Sequence, residues 1–147
     1  MKKKIISILL AGAIAVSLFS CGDTPKSSGG VPAGMSEGYY SAGVKAIAVM
    51  DDAIDLKIDY DAAAERLDMY AEAMEKELES DAGQKALKNA DVDAETEELI
   101  LKQNINNLRT ASESIKFSDW EGESDLSKLI DDRNSFAEDF GVSDRSY

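Results

Sequence analysis

Along the 147-residue chain, an unbroken apolar run gives way to a stretch without periodicity. A long region follows in which apolar residues return every three or four positions. There Tyr40, Val44, Ile47, Met50 and Ile54 form one stripe, while Lys45, Asp51, Asp52 and Asp55 occupy much of the remaining surface. This spacing predicts a first helix over Ser36 to Asp55. Leu56-Lys57-Ile58 interrupts the stripe. Asp59 is placed to cap a second helix, with Ile58 before it able to pack on Ala63. Ala63, Leu67, Tyr70, Met74 and Leu78 carry that helix's stripe. Glu72 lies four residues before Lys76, the favourable order for a surface ion pair. A single helix from Ser36 to Ser80 is the alternative.

Ser80 to Asp93, SDAGQKALKNADVD, is the least regular part. Gly83 is expected to end the second helix, and QKALKN to make a short turn of its own. Asp93 reads as an N-cap, with Glu95, Glu97 and Glu98 in a first turn where the helix dipole favours acids. Leu101, Ile105, Leu108, Ser112 and Ile115 then define a third helix over Ala94 to Lys116. A loop from Ser118 to Glu123 holds Trp120 and Gly122. Ser124 is expected to cap a fourth helix bearing Leu126, Leu129, Ile130, Phe136, Ala137 and Phe140, with Gly141 at its C-terminal end. The predicted class is all-α: a small helical bundle of about four helices, arranged as two helical hairpins around one core. Tyr40, Tyr70, Phe136 and Phe140 are expected in that core and Trp120 as a lid over one end or a stacking platform. Tyr39 and Tyr147 are expected as surface contacts.

The apolar run is IISILLAGAIAVSLF, fifteen uncharged residues after Lys2, Lys3 and Lys4. As a helix it would reach about 22 Å, short of the ~30 Å hydrocarbon core of a bilayer, so it reads as an export signal and not as a permanent span. The chain's one cysteine, Cys21, follows at once. Leu18-Phe19-Ser20-Cys21 resembles the lipobox of bacterial lipoprotein signal peptides, although Phe19 is bulkier than the residue usual there. The resemblance implies that the Cys21 thiol receives a diacylglyceryl group, that cleavage falls just before it, and that Cys21 begins the mature, membrane-anchored chain. Two acyl chains are what stable anchoring requires. An ordinary signal peptide or an uncleaved anchor is the alternative. Domains accordingly divide into a signal peptide (1–20), a lipidated Cys21 with a flexible tether (21–35) and an acidic helical bundle (36–147). As a coil, the Gly/Ser/Pro-rich residues 22–34 would have a reach of about 20 Å. A stretch like YDAAAERL after DLKID resembles helix-turn-helix segments of uncharacterised small lipoproteins from Gram-positive bacteria, a likeness that implies no activity.

Charge narrows the partners. The part after Ser20 holds 13 basic and 29 acidic residues, net −16. Phosphate backbones and anionic headgroups repel such a surface, which argues against nucleic acid and for a basic protein or cell-wall component. Histidine is absent, removing the commonest general base and metal ligand. No nucleophile motif or phosphate-binding glycine loop occurs after the signal, so the expectation is no enzyme, no catalytic residue and no cofactor. Carboxylates are the one chemical resource in excess. Asp51, Asp52, Asp55, Asp59 and Asp61 cluster, but an EF-hand starting at Asp51 would put Ala53, Leu56 and Ala62 at its third, sixth and twelfth positions. Asn89, Asp91 and Asp93 match the first, third and fifth positions of such a loop, yet Ala94 and Ile100 stand where glycine and glutamate are needed. No metal ligand is therefore assigned. A paired-carboxylate hydrolase needs a cleft that a small bundle offers poorly. The expected role is a non-catalytic, extracytoplasmic interaction or accessory lipoprotein of the cell envelope, with a small-ligand or divalent-cation (calcium) module as the alternative.

Overall fold

The computed structural model describes residues 29–117 and 123–146. Those residues form five α-helices and no strand: α1 (Glu37–Ile54), α2 (Tyr60–Glu79), α3 (Asp81–Leu87), α4 (Ala94–Phe117) and α5 (Glu123–Glu138). Cys21, Trp120 and Tyr147 lie outside the described residues, as do the predicted signal and most of the predicted tether.

The all-α bundle is as the periodicity predicts, and residues 36–80 make two helices. Ser36 caps α1, its hydroxyl accepting from the Tyr39 N–H at 3.1 Å while donating to Glu77 Oε1 on α2 at 2.8 Å. Asp59 caps α2 by accepting from the Ala62 N–H at 2.7 Å. Between them, the Leu56 N–H donates to the Ala53 carbonyl and the Lys57 N–H to the Asp52 carbonyl, the paired bonds of a Schellman stop. The left-handed residue of this stop is Leu56 (φ 56°), with its side chain 73% exposed. The same pair of bonds ends α5, where Gly141 takes the left-handed position (φ 63°) and Val142 folds into the core. Gly141 thus caps as expected. Helix α5 already includes Glu123, so Ser124 sits in its first turn and not before it.

Gly83 does not end the second helix. Ser80 does, and in the same place starts α3: its hydroxyl donates to the Glu77 carbonyl at 2.6 Å and accepts from the Gly83 N–H at 3.0 Å. Gly83 is the point where α3 folds back on the end of α2, and a Cβ there would stand 2.2 Å from the Glu77 carbonyl oxygen. Most of the predicted turn at QKALKN thus belongs to a fifth, short helix, α3, whose close approach to α2 requires glycine at position 83.

Helix α2 lies between α1 and α4, and α5 packs on α1 and, less extensively, on α4. The ion pairs between α2 and α4 run in opposite order, Arg109 to Glu75 and Lys116 to Asp68, and the buried Ser112 hydroxyl adds a bond to the Ala64 carbonyl at 3.0 Å. Phe140 lies on α1, where a Cβ on Gly43 would come within 2.0 Å of its ring. Phe136 and Tyr40 pack against Phe140, with ring centroids 4.8 and 6.0 Å away.

Tyr39 corrects a sequence expectation. It is 1% exposed, stacks on Phe140 with ring centroids 6.2 Å apart, and donates its hydroxyl to the Leu101 carbonyl at 2.7 Å. Small residues Ala42, Gly43 and Ala46 let neighbouring helices close on α1 from several sides, so its buried surface is wider than one stripe. Phe136, Phe140 and Tyr70 are buried as expected, and Tyr40 is half-buried against the core.

Two substitutions separate backbone conformation from space. Leu56→Gly is expected to stabilise the fold by about 0.5–1 kcal/mol, since it relieves a left-handed Leu that packs on little. Gly83→Ala is expected to cost about 2–3 kcal/mol despite alanine's higher helix propensity, because the Cβ meets backbone. Urea unfolding of both variants reads the two signs.

Candidate functional site

The predicted lipid-attachment residue, Cys21, lies outside the described residues. The acidic cluster can be located. Asp51 and Asp55 share a face of α1, as their spacing predicts, and both are met by arginines. Arg133 on α5, with a side chain 5% exposed, forks onto Asp51 through Nε–Oδ1 at 2.9 Å and Nη2–Oδ2 at 3.2 Å. Its Nη1 donates to the Ser143 carbonyl at 2.6 Å and to Asn134 Oδ1 at 3.2 Å. Arg145 bonds Asp55 and lies 3.5 Å from Asp51. Asn134 clasps the Arg145 backbone at both ends, donating to its carbonyl and accepting from its N–H, each at 2.8 Å. Lys57 adds a contact at 3.0 Å to Asp55 and one at 3.7 Å to Asp52.

This is a clasp and not an open cage of oxygens. Hydrogen bonds from Arg145 and then Lys57 hold the Asp55 carboxyl below the usual carboxylate range. Asp59 is spent on the α2 cap and Asp61 faces solvent in its first turn. Asp93 is likewise a cap, accepting from the Thr96 N–H at 2.9 Å and the Thr96 hydroxyl at 2.7 Å, bonds that lower its pKa. Asn89 donates back to the Lys85 carbonyl. Among the described residues, no group of three or more acidic or sulfur side chains is disposed to hold a metal ion. The sequence reading missed Arg133, though it carried a signal: a lone cation within the apolar row of Leu129, Ile130, Phe136 and Ala137.

A second feature is a half-open cleft of about 260 Å³ between α2, α3 and α4. Leu78 and Ile105 form its apolar floor, and Glu75–Arg109 at 2.7 Å and Glu98–Lys102 at 2.6 Å stand on its walls. Gln84, which donates to the Leu78 carbonyl, lines it beside Glu79. It offers charged and amide groups over an apolar base, suited to holding a small polar molecule or a side chain.

A third group surrounds Tyr39. Burial, with the Asp139 and Glu97 carboxylates nearby, pushes its phenol pKa well up. Burial, then Asp139 and Asp91, raises the Glu97 carboxyl. The Glu97 side chain covers the α-carbon of Gly34, and Gly34 and Met35 are both buried, so the N-terminal segment joins the bundle at this point on α4. Asn104, 2% exposed on the core side of α4, leaves its Nδ2 without an acceptor among the described residues.

Two predictions follow from these charges. Asp51→Asn leaves a buried guanidinium short of its carboxylate and is expected to cost about 2–3 kcal/mol in urea unfolding. Glu72→Gln, at an open pair, is expected to cost less than about 0.5 kcal/mol. Glu97 has the opposite sign. Its folded pKa is raised, so the ionised form weakens the fold at neutral pH, and the penalty fades as pH falls through that raised value. Glu97→Gln is expected to raise the melting temperature by a few degrees at about pH 7 and to leave it unchanged near about pH 3, where both states carry the proton.

The sequence matches no family model, and no curated protein or solved structure matches it.

Proposed function

We propose that this chain is an exported lipoprotein, anchored through Cys21, whose acidic helical bundle serves as a non-catalytic contact module of the cell envelope. The observation that carries the reading is Cys21 itself, set after three lysines, a fifteen-residue apolar run and Leu18-Phe19-Ser20. Among the described residues no helix is long and apolar enough to cross a membrane. Residues 22–34 form the leash. Its distal end meets the bundle at Gly34 and Met35, beside Glu97. The excess of acids over bases favours a basic protein or cell-wall component, drawn in by long-range attraction.

The cleft between α2, α3 and α4 favours a second reading, a small-ligand or cation-binding module. The two readings separate by simple measurements. Cys21→Ala is expected to shift the full chain from the membrane fraction to the soluble one; retention in the membrane would show the lipid reading to be wrong. In the protein-contact reading, millimolar calcium leaves the melting temperature unchanged. A rise of several degrees would instead favour the cation module, because ligand bound to the native state stabilises it.

A further inference from the structure

The outward face of α4 differs from the other solvated helix faces. Leu99, Ile100, Gln103, Asn106, Asn107 and Thr110 are all exposed, and they follow one another at helical spacing opposite the buried Leu101, Ile105 and Leu108. None carries a charge. Leu99 is 68% exposed and Ile100 39%, and Val92, just before the helix, is 46% exposed. By contrast, α2 turns Asp61, Glu65, Glu72 and Glu75 to solvent, and α5 turns out Asp131 and Glu138. The contrast extends to side-chain pairs. Gln103 Nε2 donates to Asn107 Oδ1 at 2.8 Å, an amide pair at the i, i+4 spacing where Glu72–Lys76 and Glu98–Lys102 place ions.

We propose that this charge-free stripe is a self-association face, on which α4 of one copy packs against α4 of a second copy. Charge complementarity selects the occupant. Two copies of so acidic a chain repel each other, and contact through α2 or α5 would set carboxylate against carboxylate. A basic partner, by contrast, gains most on those acidic faces and least on this one. Side-chain amides and hydroxyls carry both donors and acceptors, so identical rows of Gln, Asn and Thr complement each other across a twofold axis. Leu99 and Ile100 supply apolar anchors. From Leu99 to Thr110 the stripe spans about 17 Å of helix, which places the contact at the small, transient end of interfaces. Confinement to one surface, if the anchor reading holds, raises the local concentration enough to populate it. The contact tightens with added salt, because screening removes the repulsion between the two bodies.

Disulfide cross-linking of the full chain in membranes of producing cells, with copper phenanthroline as oxidant, tests this. Gln103→Cys is expected to give a covalent dimer, and Glu65→Cys, equally exposed on α2, at least fivefold less. Adding Leu99→Glu to Gln103→Cys is expected to lower the yield at least fivefold, and raising salt to increase it. Equal yields at positions 65 and 103, no dimer at 103, or no effect of Leu99→Glu would each overturn the proposal. The unsubstituted chain serves as the control for Cys21. A dimer there reveals a free thiol and refutes acylation; the comparison is then repeated on Cys21→Ser chains, so that the stripe is judged independently. Positions 65, 99 and 103 are exposed, and circular dichroism of each variant verifies the fold.

Discussion

A guanidinium carried into the side of the bundle by α5 holds the last helix and the C-terminal segment to α1. Arg133 is a charged side chain on the core-facing row of α5, and burying it is tolerable only because its donors are met by Asp51, Asn134 and the Ser143 carbonyl. That arrangement requires Asp51 on α1 to face α5, and the tail after Gly141 to turn back across both. The Schellman stop at Gly141 makes that turn, and Val142 in the core secures it. Phe140, one residue earlier, is then laid onto Gly43. One buried ion pair, one left-handed glycine and one missing Cβ thus position the same helix at three consecutive levels.

The acid excess shapes the rest. With so many more carboxylates than cations, several arginines and lysines are committed: Arg109 to Glu75, Lys116 to Asp68, Lys102 to Glu98, Arg145 and Lys57 to the α1 clasp. Two of these pairs bridge α2 and α4, where they add to a contact already made by packed side chains. At Glu97, burial and then the nearby Asp139 and Asp91 carboxylates raise the pKa. The outward stripe of α4 avoids the crowding by carrying no charge at all. On this surface the acidic outward faces of α2 and α5 stand apart from the charge-free stripe of α4.

Much of the helical framework was legible because its determinants are local. Caps at Ser36, Asp59 and Asp93 act within three residues, and the glycine stop at Gly141 within five. Apolar spacing marks the buried rows of α2 and α4 for the same reason, since a helix brings residues three and four apart onto one face. Local patterns failed where a second helix intervened. Tyr39 reads as a surface residue beside Tyr40, until the close approach allowed by Ala42 and Gly43 encloses it. Gly83 reads as a breaker, until α3 is seen folded against the Glu77 carbonyl. The acidic cluster was legible as a cluster, but its two arginines come from 82 and 90 or more residues away, beyond any periodicity.

By itself, then, the sequence determined the course of the four long helices, how acidic the chain is, and that a lone cysteine stands at the end of an export-like apolar run. These follow from composition and from interactions a few residues long. Tertiary structure decided which way Tyr39 turns, why Gly83 must be glycine, that Asp51 and Asp55 are held by Arg133 and Arg145, and which face of α4 is left to solvent. Each of those depends on which helices come together, a choice made by the packing of the whole bundle and not by any single turn of it.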